Sequence, residues 1–417
     1  MNELDRIRSP QIHHLQKSIE SGDSQALKLF WERIKEQGTP LVEEFESDVE
    51  DRIVTFLWQN SGKAKSVSLV SLMTNPTTYP LKRLLDTDLW YLNLQLPANL
   101  RATYQFFPDD LPASAKGTFD DPWAHYHPDP HNPKTFAFYN DKEDPTGMKL
   151  TRSVLELPDA PPQPWTKSQE YVRKGKVQLH QLRSDLLWNE RRVWVYSPAK
   201  YTSGLGKPYP LLVLFDGWAY ANLMPTFTIL DNLIAERIIP PTVTVLVDSL
   251  DTETRMKELV FYKPFNNFLV KEFLPWILTQ YAISTDPSQR VVGGSSAGGL
   301  AAAYAALEHP DVFGNVLSQS GAFTLAPEGE TDSSGWLAHR FEEREKLPLK
   351  FHLDVGTLEG NSYRDLKGRP STLAGNRRMH EVLQSKGYKV HYTEFSGGHD
   401  YINWQGTLAN ALKALLG

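Results

Sequence analysis

Apolar residues recur at three- and four-residue steps over residues 8–37, where Leu15, Ile19, Ala26, Leu29, Phe30 and Ile34 form one stripe. That spacing predicts an amphipathic helix. Beyond Gly38 and Pro40 the period changes. VTFLWQ (54–59), SVSLVSL (66–72), LWYLNLQL (89–96) and RATYQFF (101–107) are short β-branched and aromatic runs separated by Asn, Gly, Pro and Asp. Such runs predict the strands of a β-sandwich. Residues 108–140 read as loop and LTRSVLEL (150–157) as one more strand. DAPPQPW (159–165) is a proline-rich, extended boundary.

After about residue 170 the chain changes character. KVQLHQLRS (176–184) and RRVWVYSP (191–198) predict a β-hairpin. Strands then alternate with helices: PLLVLFDG, a helix near 222–236, TVTVLVDS (242–249), helix 265–281, RVVGGS (290–295), helix 297–308, NVLSQSG (315–321), a helix near 335–346, KFHLDVG (350–356), helix 371–386, KVHYTEF (389–395) and helix 406–416. This alternation predicts an α/β domain, a mostly parallel sheet covered by helices on both faces. The expected division is 1–165, a leading helix and an immunoglobulin-like β-sandwich, and 166–417, the α/β domain.

Composition narrows the chemistry. The 417 residues contain no Cys, which excludes a disulfide framework, a thiolate metal site and a Cys nucleophile. Lys plus Arg is 44 and Asp plus Glu is 50, a net charge of −6. That unsegregated, mildly acidic balance argues against nucleic acid as a partner. The apolar runs at 211–215 and 243–247 fall far short of the ~20 residues of a membrane span. The first residues show no apolar core of a signal peptide, so the expected location is the cytoplasm.

The most informative segment is Gly294-Ser295-Ser296-Ala297-Gly298. It matches G-x-S-x-G between an apolar strand and a helix, the setting of a nucleophile elbow. Ser296 is the predicted nucleophile; Ser295 lacks the symmetric glycine flanks. A serine hydroxyl needs a base, and on an α/β-hydrolase fold the order is Ser, acid, His. His399, in Phe395-Ser-Gly-Gly-His-Asp400, follows the last predicted strand. His352 and His391 lie in predicted strands and His380 on a helix. The acid belongs after KFHLDVG: Glu359 ranks first, then Asp365, then Asp354. The oxyanion hole needs two backbone N–H groups, expected from Ala297 and, after Asp216-Gly217, from Trp218.

Several segments together resemble the enterochelin (ferric enterobactin) esterase family of bacterial siderophore esterases, within the α/β-hydrolase superfamily. They are LLVLFDGWAY (211–220), the R-x-x-E-L of Arg255 to Leu259, VVGGSSAGGLAAAYAALEHPDVFGNVLSQSG (291–321) and GGHDYINW (397–404). In the first part, VTFLWQ, LLDTDLWYLNLQLPANLRATYQF (84–106) and DPHNP (129–133) are similar to that family's accessory domain. VGTLE (355–359) is similar to a V-G-T-N-D step in related feruloyl esterases, whose closing acid corresponds to Glu359. The resemblance implies hydrolysis of a cyclic tri-serine catecholate ester, a small-molecule siderophore, with iron as part of the substrate and no cofactor. The rival readings are a feruloyl or acetyl esterase and a non-catalytic binding protein on a hydrolase scaffold.

Three further residues are candidate substrate contacts. Arg255 would hold an anionic group at the sheet's C-terminal edge, or else pair with Glu258 at i, i+3. Trp404 and Tyr262 would offer flat faces to catechol rings. His125, His127, Asp129 and His131 alternate as metal ligands can, but the D-P-x-N-P match explains that segment otherwise, and no metal site is expected.

Overall fold

The protein is described by a computed structural model covering residues 9–45, 48–60, 64–71, 77–108, 126–138, 150–203, 208–330, 335–360 and 370–417. The chain divides into two compact units. One is Met1–Pro161 with Ser396–Asp400; the other is Pro162–Phe395 with Tyr401–Gly417.

The first unit opens with two helices where the periodicity predicts one, α1 (Pro10–Glu20) and α2 (Ala26–Gln37). The stripe is continuous but the backbone is not. Gly22 takes φ +89° and Asp23 caps the N–H of Gln25 at 2.9 Å, a turn that stops helix propagation. Ile12, Leu15, Phe30, Trp31 and Ile34 still meet one core with Leu41, Leu57 and Leu89.

Two antiparallel sheets follow. Strands β1 (Leu41–Phe45), β2 (Asp48–Gln59), β5 (Lys82–Arg83) and β6 (Leu89–Pro97) form one, in the order β1-β2-β6-β5. Strands β3 (Val67–Ser71), β4 (Thr77–Pro80), β7 (Arg101–Pro108), β8 (Thr135–Phe138) and β9 (Leu150–Glu156) form the other, in the order β4-β3-β7-β9-β8. They pack face to face: the rings of Phe56 on β2 and Tyr104 on β7 lie 4.9 Å apart, edge to face. Strand β8 corrects the expectation of loop throughout 108–140.

The second unit is an eight-stranded sheet. Its strands are β10 (Lys176–Ser184), β11 (Asn189–Ser197), β12 (Leu211–Phe215), β13 (Val243–Val247), β14 (Arg290–Ser295), β15 (Asn315–Gln319), β16 (Lys350–Gly356) and β17 (Lys389–Phe395). Their order is β10-β11-β13-β12-β14-β15-β16-β17. The first hairpin is antiparallel and β13 to β17 run parallel. Alternate residues of each central strand bury on opposite faces: Val213, Val245, Val292 and Val316 in one core, Leu212, Leu214, Leu246 and Leu317 in the other. Burial of both faces is why these strands carry no polar alternation. The expected helix 265–281 is divided into α6 (Lys263–Phe268), a π turn at Leu269–Phe273 and α7 (Leu274–Gln280). Pro275 lacks the N–H that a regular helix needs there. Among the described residues no helix is long and apolar enough to cross a membrane.

Candidate active site

Strand β14 pairs with β12 on one side and β15 on the other, with Gly293 opposite both Leu214 and Leu317. Ser296 follows with φ 57° and ψ −120° and caps α8 (Ala297–Glu308). That backbone is costly for a residue with a side chain. Three hydrogen bonds hold it. The Ser296 N–H donates to the Gln319 carbonyl at 2.9 Å, and its carbonyl accepts from Ala322 at 2.9 Å and Leu300 at 3.2 Å. The flanking glycines are sterically required. A Cβ on Gly294 would lie 2.7 Å from Gly298 backbone, and one on Gly299 2.4 Å from Ser318 Oγ. From Arg290 to Leu307 every residue except Ser296 is buried. The neighbouring hydroxyl of Ser295 is buried and hydrogen-bonds Tyr220.

Ala297 opens α8, so its N–H has no acceptor within that helix. Trp218, the second residue of α3 (Gly217–Asn222), presents its N–H on the same grounds. The strands leading into the two helices, β12 and β14, are hydrogen-bonded neighbours. Asp216 precedes α3 in a left-handed conformation, φ 58° and ψ 49°. A Cβ on Gly298 would come 3.2 Å from Asp216 Oδ2, so the first turn of α8 lies against this carboxylate.

Arg255, on α5 (Thr252–Leu259), grips that carboxylate. Nε donates to Asp216 Oδ1 at 2.6 Å and Nη2 to Oδ2 at 2.7 Å, while Ser249 Oγ donates to Oδ1 at 2.8 Å. Burial works against the guanidinium charge, but the Asp216 carboxylate outweighs it and raises the Arg255 pKa. The pairing expected from the sequence is corrected here: Arg255 pairs with Asp216, not with Glu258. The Glu258 carboxylate takes Arg191, with Nη2 to Oε1 at 2.8 Å and Nη1 to Oε2 at 2.9 Å, both groups buried.

Of the two aromatic expectations, the one for Trp404 changes. Trp404 is only 3% exposed and its Nε1–H donates to Ser320 Oγ at 3.0 Å, so it has no open face for a catechol ring. Tyr262 is half-buried, and the Lys257 ammonium lies 5.4 Å from its ring centroid. Trp404 therefore serves packing.

Glu359 sits on a single helical turn after β16, Thr357–Gly360. It is buried, and Oε1 accepts from the Gly356 N–H at 2.9 Å and the Ser320 hydroxyl at 2.6 Å. Asp354 lies inside β16, fully buried, with His352 Nε2 3.3 Å from its Oδ2. Burial raises the Asp354 pKa. Asp365 lies outside the described residues. His399 sits on the loop from β17 to α11 (Tyr401–Leu416). Gly397, Gly398 and Asp400 are buried there and His399 is exposed.

Sequence reasoning missed the polar layer behind the elbow. The Gln319 amide donates to the Trp404 carbonyl at 2.8 Å and to Thr407 Oγ1 at 2.6 Å, and its Oε1 accepts from the Tyr220 hydroxyl at 2.8 Å. The one available signal was a Gln closing a fully buried strand, Asn315–Gln319. A surface concavity lined by Pro208, Pro240, Gln289 and Leu415 lies at the opposite, N-terminal ends of the strands.

The alternating His and Asp segment is a turn lock. Asp129 accepts from the Tyr104 hydroxyl at 2.8 Å and the His131 N–H at 3.0 Å. Asn132 donates to Tyr104 at 3.0 Å and to the Val154 carbonyl at 2.9 Å. His125 lies outside the described residues.

Residues 184–415 match the family described as putative esterase, and residues 53–166 match the enterochelin esterase N-terminal family. An iron(III) enterobactin esterase of Escherichia coli is 30% identical over 385 residues, 86% of this chain and 90% of that one. The chain belongs to the enterochelin esterase family. Among its members, an iron(III) salmochelin esterase of Escherichia coli is 26% identical over 97% of this chain and 98% of its own. The crystal structure of the enterobactin esterase of Shigella flexneri, in the presence of enterobactin, superimposes with a TM-score of 0.72. It is 27% identical and covers 93% of this chain and 97% of that one. The enterochelin esterase family therefore spans both units.

Proposed function

We propose that this chain is a serine carboxylesterase that hydrolyses the ester bonds of a catecholate siderophore and so frees its iron in the cytoplasm. One observation carries the chemistry: Ser296 alone breaks the buried run from Arg290 to Leu307, on a strained corner beside two helix starts. The substrate class comes from the enterobactin and salmochelin esterases it is similar to.

In this reading His399 takes the Ser296 proton as the hydroxyl attacks the ester carbonyl. The tetrahedral oxyanion is held by the Ala297 and Trp218 N–H groups, each worth about 2.7–4 kcal/mol in the transition state. Collapse expels the alcohol, which takes the proton from His399. Water, deprotonated by His399, then releases the acid. Glu359 orients the imidazole and stabilises its charged form. The bonds from Ser320 and Gly356 both fall on Oε1 and hold the carboxylate in place. The chemistry needs no cofactor; iron is cargo of the substrate.

Hydrolysis of ferric enterobactin, a feruloyl ester and a p-nitrophenyl ester, with products counted by mass, tests this. Turnover of the catecholate ester, lost in Ser296→Ala with the fold intact, is expected. Full activity in that variant would remove the nucleophile assignment. Turnover of only the other esters would remove the siderophore and leave the esterase.

A further inference from the structure

We propose that Thr103 and Arg152 of the β-sandwich are positioning residues for His399, acting through Asp400. The inference rests on His399 being the catalytic base.

The five-residue loop Ser396–Asp400 belongs to the first unit, although the chain on either side of it belongs to the second. Two of its five residues are Gly397 and Gly398, which offer no side chain to hold it. It is anchored at both ends instead. The Ser396 carbonyl accepts from the Arg101 N–H at 3.2 Å. The Asp400 carboxylate accepts from the Thr103 hydroxyl and lies 3.8 Å from Arg152 Nη1. Thr103, Asp400 and Arg152 are all buried.

The anchor itself is stiff. Arg101 and Thr103 alternate along β7, so they share one face of the sheet. Arg152 comes from the neighbouring strand β9. Arg101 is braced across the ladder by Glu156 at 2.7 and 3.1 Å and by the Pro161 carbonyl at 2.8 Å. A buried carboxylate is tolerated only where such partners hold it, so Asp400 has little freedom. His399 is its immediate chain neighbour, with its Cα about 3.8 Å away, and is the loop's one exposed residue. The sandwich thereby places the base, a role distinct from covering substrate.

Thr103→Val removes the hydroxyl and keeps the shape. Because a ~1 Å displacement of a reacting group costs about 100-fold, kcat on p-nitrophenyl butyrate should fall about 100-fold with KM nearly unchanged. Labelling of Ser296 by a fluorophosphonate should slow in parallel. Thr103→Ser should restore both. Unimpaired kcat and labelling in a cooperatively melting Thr103→Val protein would overturn the inference, as would a loss confined to KM. Should that variant not fold, Asp400→Asn answers the same question, since it keeps the acceptor and removes the charge that Arg152 faces; wild-type kcat there would overturn it. The wild-type chain separates the two readings. If it does not label at Ser296, the esterase assignment fails; if it labels and the variants match it, only the positioning role fails.

Discussion

Arg255 spans both carboxylate oxygens of Asp216, at 2.6 and 2.7 Å, in the turn that leads into Gly217 and Trp218. The pair holds a left-handed Asp216 beside the first turn of α8. Arg255→Lys keeps the charge but supplies one point donor in place of a planar fork. We expect kcat to fall about 10–100-fold with a smaller change in KM, read by steady-state kinetics. Arg255→Ala should also cost about 3 kcal/mol of stability by denaturant melts, the low end for losing one partner of a buried pair, because the guanidinium is partly exposed.

Glu258, three residues on, should behave differently. Its partner Arg191 lies in a buried pair at 2.8 Å, and the same carboxylate accepts from Asn189 at 2.9 Å. Glu258→Ala should destabilise by about 3–5 kcal/mol yet leave kcat per folded molecule unchanged. A kcat loss matching that of Arg255→Lys would tie Glu258 to the turn before α3 instead.

The glycines should separate by what their Cβ meets. Gly294→Ala drives a methyl to 2.7 Å from backbone that cannot rotate away. It should cost about 3 kcal/mol, the upper end for overpacking, and most of the activity. Gly298→Ala meets a side-chain oxygen at 3.2 Å. That carboxylate is clamped by Arg255, so kcat should fall on the order of tenfold while the melting temperature moves little.

Glu359 and Asp354 are distinguished by substitution. Glu359→Gln should lower kcat by on the order of 10³–10⁴, as loss of a triad carboxylate does. Asp354→Asn should leave turnover within about threefold. The reverse result would move the acid into β16.

Asp354 also makes a pH prediction. Burial raises its folded pKa above the unfolded value near 3.8, against the opposing pull of His352. Its protonated form is the one the fold accommodates, so its contribution is full below the unfolded value and is lost as pH rises through the folded value. Asp354→Asn should therefore gain melting temperature over the wild type at neutral pH, with the difference shrinking toward pH 4. A pH-independent difference would contradict this.

The parallel strands of the second unit were legible because burial on both faces leaves each a bare apolar run, and β10, β16, β17 and α8 match their expected bounds. The strands absent from the sequence reading, β1, β4, β5 and β8, are all sheet edges. Edges bury less and carry charge or proline against aggregation, so their pattern fades. The G-x-S-x-G segment announced Ser296 because a strained strand-to-helix corner admits few residue types. Pairing was not legible in the same way. Arg255 and Asp216 are 39 residues apart, and Thr103 and Asp400 are 297 apart. A charged side chain has no period that names its partner. Sequence alone determined the layers and the strained strand-to-helix corner at Ser296, which follow from local burial and backbone strain. Only the tertiary structure decided which carboxylate Arg255 holds, that Trp404 is buried, and that the loop bearing His399 is anchored by a β-sandwich, because each depends on strands brought together from distant parts of the chain.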